Sequence, residues 1–119
     1  MKDSVGSVLR AYLDAVILSR LQNGDTYGYA VIRDIEQESG GVCSLQEGPL
    51  YIEFRRMEKE GWIRSYWGDE TKGARRRYYA ITEAGECYLD ERKKEWEQMK
   101  KMMNALLAVR GEMEEIEYE

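Results

Sequence analysis

Three consecutive arginines, Arg75, Arg76 and Arg77, are the densest concentration of chemistry in this chain. Guanidinium groups pair with phosphate oxygens through two parallel N–H bonds and fit a narrow minor groove. Tyr51, Arg55 and Lys59 recur every fourth residue, which puts them on one side of a helix. An arginine there can fork onto a guanine edge, an interaction worth ~1–3 kcal/mol of discrimination. A tyrosine beside it suits a phosphate, where it fixes register rather than sequence. With Lys72 these side chains, Tyr51, Arg55, Lys59, Arg75, Arg76 and Arg77, form a candidate surface for double-stranded DNA.

Catalytic chemistry has no comparable basis. The chain has no histidine, so the commonest general base and metal ligand are missing. Neither a Gly-rich phosphate loop nor a carboxylate pair in an obvious pocket is recognisable. The two cysteines, Cys43 and Cys87, lie far apart in no metal-binding spacing and read as free thiols. The expectation is a non-enzyme with no cofactor and no metal.

Net charge is −5 over 119 residues, which opposes a polyanionic partner until the charge is mapped. From Trp62 to Ile81 there are five basic residues against two acidic. From Met1 to Gly61 the count is seven against ten, and from Thr82 to Glu119 it is six against eleven. Positive charge is concentrated in one short segment. Exposed charges are screened over ~8 Å in physiological salt, so such a patch meets phosphate almost independently of the acidic remainder. No apolar run reaches the ~20 residues of a membrane helix. Asp14 and Arg20 interrupt the one candidate stretch near the start, so a cytoplasmic location without membrane partners is expected.

The elements that must position these residues are legible in the apolar spacing. Leu9, Leu13, Val16, Ile17 and Leu21 form one helical face, ended by Asn23-Gly24-Asp25. Thr26 is placed to cap a second helix with Tyr27, Ala30, Val31, Asp34 and Ile35 inward, closed by Ser39-Gly40-Gly41. A third helix begins near Gln46 with Pro49 in its first turn and Gly61 at its end. It turns Leu50, Phe54 and Met57 inward and leaves Gly48, Ile52, Arg55 and Lys59 outward, with Tyr51 at the margin. Ile63 to Trp67 and Arg75 to Ile81 alternate as strands around a flexible turn, Gly68 to Gly73, and alternation sets Arg76 opposite Arg75 and Arg77. Three helices followed by a hairpin make a winged helix-turn-helix domain, expected over residues 1–81. The fold class is α+β, mostly α.

Residues 82–119 are expected to form a long C-terminal helix, running to about Arg110, and an acidic tail. Leu89, Arg92, Trp96, Met99, Met103 and Leu106 follow 4-3 spacing, a heptad-like seam interrupted by Arg92. Such a seam calls for a second helix, most economically that of another copy, so Leu89, Trp96, Met99, Met103 and Leu106 are the expected homodimer interface. Trp96 beside Met99 also offers a flat, polarizable platform for a small aromatic ligand, with Tyr12 and Ala15 of the first helix as further candidates.

Five segments, in order, give the chain a family resemblance. They are Tyr27-Gly28-Tyr29-Ala30-Val31-Ile32, Gly48-x-Leu50-Tyr51, Arg56-Met57-Glu58-x-Glu60-Gly61-Trp62-Ile63, Arg75-Arg76-Arg77-Tyr78-Tyr79 and Ile81-Thr82-Glu83-Ala84-Gly85. In these, and over about Leu9 to Leu107, the sequence resembles the PadR family of bacterial winged-helix transcriptional repressors. The resemblance implies a homodimer whose third helix enters the major groove of a pseudo-palindromic operator while the wing touches the flanking backbone. It also implies repression of detoxification or export genes, relieved by a small aromatic or hydrophobic effector. Two positions depart from the family pattern: the third helix is entered through Gln46-Glu47-Gly48-Pro49, and Ile52 stands where a proline is usual. The alternative function is a winged-helix protein-interaction module that does not bind DNA.

Overall fold

The computed structural model describes residues 2–69 and 75–108, with side chains from Gly6 onward. Its elements are α1 (Lys2–Ala11), α2 (Leu13–Gln22), β1 (Thr26–Tyr27), α3 (Gly28–Glu38), α4 (Glu47–Glu60), β2 (Ile63–Trp67), β3 (Arg77–Ile81) and α5 (Glu83–Leu107). The chain divides into one compact unit from Met1 to Leu89 and a second from Asp90 to Glu119. Among the described residues, no helix is long and apolar enough to cross a membrane.

The expected first helix is broken. Tyr12 adopts φ −118° and ψ 15°, and its N–H turns back to the Leu9 carbonyl at 3.0 Å. A new helix starts at Leu13, where the Asp14 carboxylate accepts the Ala15 N–H at 2.7 Å and so satisfies one donor of the first turn. Of the expected face Leu13, Ile17 and Leu21 are buried, Leu9 and Val16 are half-buried, and Leu18, which the spacing omitted, is fully buried.

Thr26 does not cap α3. Thr26 and Tyr27 form a two-residue strand that pairs antiparallel with Tyr79 and Tyr78, giving the sheet order β1-β3-β2. A β-branched and an aromatic residue suit that edge. The hairpin registers Ile63 with Ile81 and Trp67 with Arg77.

The core joins α2, α3, α4, the sheet and the start of α5 through Ile17, Leu18, Leu21, Val31, Leu50, Phe54, Met57, Ile63, Tyr79 and Leu89. Phe54 stacks on Tyr79 with ring centroids 3.9 Å apart, which ties α4 directly to the central strand. Gly61, at φ 83°, ends α4 as expected, while the Trp62 N–H returns to the Met57 carbonyl at 3.0 Å. The start of α5 is locked to this turn. The Thr82 hydroxyl donates to the Gly61 carbonyl at 2.6 Å and accepts the Gly85 N–H at 3.1 Å. A Cβ on Gly85 would collide with the Trp62 carbonyl oxygen, so only glycine fits there.

In the second unit, α5 is carried to Leu107. The expected extension to Arg110 and the acidic tail lie outside the described residues, as do Lys72 and most of the expected wing turn.

Candidate nucleic-acid interface

On α4, burial of Leu50, Phe54 and Met57 forces the other side of the helix outward. That outward stripe is Gly48, Ile52, Arg55 and Lys59, all exposed. Tyr51 borders it, and its ring packs edge-on against Phe54 with centroids 5.7 Å apart. Its hydroxyl lies over the first residue of α3, where a Cβ on Gly28 would come within 2.5 Å of it. Gly28 therefore makes the space that Tyr51 occupies.

Arg55 and Arg56 are neighbours with opposite surroundings. Arg55 points to solvent and forms no ion pair among the described residues. Arg56 donates from Nε to Glu53 at 2.8 Å and from Nη2 to Asp14 at 3.3 Å, and its guanidinium lies over the Trp62 ring at 5.3 Å. The hydrogen bond to Glu53 is the largest cause that raises the Arg56 pKa above its ordinary range, so it stays charged. Asp14, only 6 % exposed, also accepts from the Tyr88 hydroxyl at 2.5 Å. Tyr88 in turn stacks on Trp62 at 3.6 Å. This cluster binds α2, α4 and the first turns of α5 together. Spacing along the sequence gives no sign of it, since Asp14 meets partners 42 and 74 residues away.

The wing places its arginines over rings. Arg75 and Arg77 both approach the Trp67 ring, at 5.6 and 5.3 Å, while Arg76 lies 4.5 Å from the centroid of Tyr27. Arg76 is thus set apart from its two neighbours. Arg64 adds a fourth cation over Tyr66 at 5.5 Å. A guanidinium drawn to the face of a ring in this way keeps N–H groups that can reach a phosphate. The Tyr66 hydroxyl donates to Asp25 at 2.5 Å, which holds its own pKa above the usual 10.0. Trp67, Tyr27 and Arg64 were not among the expected site residues; the signal for Trp67 is its register opposite Arg77.

The residues expected to pair two copies divide between the units. Leu89 is 1 % exposed and belongs to the winged-helix core, so its side chain is already covered within the chain. Trp96, Met99, Met103 and Leu106 are exposed on α5, and so are Met102 and Leu107, which the 4-3 spacing omitted. Arg92, which interrupts the spacing, donates to Glu95 at 2.9 Å. Of the candidate ligand residues, Tyr12 and Ala15 are half-buried in the first unit, and Trp96 and Met99 lie in the second. One open hollow in the first unit lies elsewhere, between α3 and the entry to α4, lined by Tyr29, Ile32 and Ser44 to Gly48.

Residues 17–91 match the transcriptional regulator PadR-like family. The chain belongs to that family. It is 42 % identical to a transcriptional regulator from Clostridium thermocellum, covering 85 % of this chain and 98 % of that one, with a TM-score of 0.79. A PadR family transcription regulator from Clostridium difficile is 38 % identical over 82 % of this chain and 99 % of its own, with a TM-score of 0.73. One from Eggerthella lenta, at 26 % identity, covers 91 % of this chain and 92 % of its own with a TM-score of 0.80. The winged helix is therefore that of a DNA-binding transcriptional regulator, which is the activity of the PadR-like family and not an enzymatic one.

Proposed function

We propose that this PadR-like chain acts as a homodimeric repressor that occupies a pseudo-palindromic operator and leaves it when a small aromatic or hydrophobic effector binds. The observation that carries the reading is the coincidence, within one compact unit, of the outward α4 stripe with arginines held over rings in the wing. Tyr51 and Arg55 enter the major groove with α4, Lys59 and Lys72 add charge, and Arg75, Arg76 and Arg77 engage the flanking phosphates. The exposed apolar stripe of Trp96, Met99, Met103 and Leu106 packs against the same helix of a second copy. Two α4 helices then meet half-sites about one helical turn, ~34 Å, apart. Trp96 and Met99 take the effector. An effector that favours dimers with misplaced α4 helices lowers occupancy by no more than its differential affinity for those dimers.

The test is a gel shift on DNA from upstream of the protein's own gene and on a duplex selected from a randomised library, at several salt concentrations. Tight binding that weakens steeply with salt, and is lost when Arg75, Arg76 and Arg77 are changed to alanine, supports the reading. Weak binding to both duplexes, indifferent to salt and to the arginines, overturns it in favour of a protein-docking module.

A further inference from the structure

We propose that Ile52 reads a thymine methyl group in the major groove, beside the base that Arg55 meets; this rests on the DNA-binding role given to α4 above. Ile52 is 62 % exposed in the middle of a 14-residue helix. A single exposed apolar side chain is ordinary, so its neighbours carry the argument. One turn earlier on the same stripe is Gly48, whose surroundings are open, with nothing within 4 Å of an added Cβ. Three and seven residues later are Arg55 and Lys59, both exposed cations. Tyr51 flanks the stripe at 39 % exposure. The bare backbone at Gly48 lets the first turn of α4 approach another surface closely, and the two cations make that surface anionic.

Ile52 therefore stands at the centre of the face that meets DNA, and it has no hydrogen-bonding atom to offer there. The major-groove edges of guanine, adenine and cytosine present donors and acceptors; thymine alone adds a methyl group. A γ-branched or unbranched side chain would sweep several rotamers, whereas the β-branched isoleucine is stiff at χ1 and presents its methyl groups at a fixed place. Isoleucine also forms helix less readily than leucine, methionine, lysine, arginine or glutamate, so helix propensity does not explain its presence at an exposed site. Position, exposure and stiffness point to one apolar interaction, and Arg55 three residues on supplies the adjoining polar one.

The experiment uses the full-length protein and the tightest duplex it selects from a randomised library. Each thymidine of a half-site is replaced in turn by deoxyuridine, which removes the methyl and keeps the base pair. For the wild-type protein one such replacement is expected to weaken binding about fourfold, the effect of burying a single methyl-sized group. Ile52→Ala, which leaves the core untouched and keeps the helix, should bind both duplexes equally; Ile52→Val should retain part of the discrimination. Wild-type indifference to every deoxyuridine, or undiminished discrimination by Ile52→Ala, overturns the assignment while salt-steep binding to the selected duplex keeps the DNA-binding role. Failure to select any duplex overturns both.

Discussion

The wing and the Asp14 cluster are built from the same parts and do opposite things. Each has guanidinium groups over aromatic rings: Arg75 and Arg77 over Trp67 in the wing, Arg56 over Trp62 in the cluster. The difference is the carboxylate. Among the described residues no acidic side chain pairs with Arg75 or Arg77, whereas Arg56 is held by Asp14 and Glu53. In the cluster, the positive charge is consumed by an internal partner, the buried Asp14, and elements are held together. Over Trp67 the ring fixes the position of the charge without neutralising it, and the charge can act on another molecule. Whether an arginine is held inside the fold or left facing solvent is decided by its neighbours, as Arg55 and Arg56 show at adjacent positions.

Removing each set of arginines in turn is the strongest test. Changing Arg75, Arg76 and Arg77 together to alanine should lower affinity for the selected duplex by roughly a hundredfold or more, and flatten the log–log salt slope by about 0.9 for each phosphate no longer neutralised. The melting temperature should hardly move, because those side chains lie outside the core. Arg56→Ala should do the reverse. It takes the cation away from the buried Asp14 carboxylate, at a cost of about 2 kcal/mol, since Arg56 itself is half exposed. Thermal unfolding should begin roughly 8 °C lower, with the salt slope of DNA binding unchanged. A fall in the melting temperature for the wing variant as large as for Arg56→Ala would abolish the distinction.

The two regions also differ in how far sequence alone revealed them. The wing is local. Alternation along the strand expected from Arg75 to Ile81 separated Arg76 from Arg75 and Arg77, although β3 itself begins only at Arg77, and the 3.6-residue period of α4 gave both Leu50, Phe54 and Met57 inward and Arg55 outward. What it lacked was the partner ring of each arginine, because Trp67 and Tyr27 become neighbours only once strand register is set. The Asp14 cluster is non-local throughout, and no spacing rule connects residues so far apart. The same limit explains β1. Thr26 has the residue type and position of a helix cap, and only the distant pairing with Tyr79 makes it a strand. At Tyr12 a continuous apolar period ran across a break, since periodicity records which face is buried and not whether the backbone hydrogen bonds persist.

A smaller effect probes how the proposed DNA-reading face of α4 is aimed. Gly28→Ala puts a Cβ where the Tyr51 hydroxyl now lies, and the tyrosine can yield by swinging its ring outward. Fold stability should therefore change little, while affinity for DNA should drop about fivefold, the loss of one phosphate-type hydrogen bond of ~1 kcal/mol. Tyr51→Phe should show the same drop, and combining the two should add almost nothing beyond it. Additive losses would mean that Gly28 acts by some route other than Tyr51.

The smallest effect lies at a buried ring beside the wing. Tyr79 stacks on Phe54 of α4 and stands two residues from Arg77, so it ties the wing to the core. Burial is the main cause that raises its pKa above the ordinary 10.0, opposed by the nearby Arg77 cation. The fold thus favours the neutral phenol. Its contribution is complete below pH 10.0 and is lost as pH rises through the higher folded value. Melting temperature measured across this range should fall for the wild type, and Tyr79→Phe should remove part of that fall while preserving the stack. Tyr66 provides the control, because its pKa is raised first by the hydrogen bond to Asp25 at an exposed site. Tyr66→Phe should leave the effect of the buried Tyr79 intact, so most of the alkaline loss persists. Equal protection by both substitutions would move the linkage out of the core and into the wing surface, where the rings would then serve the fold as well as the arginines.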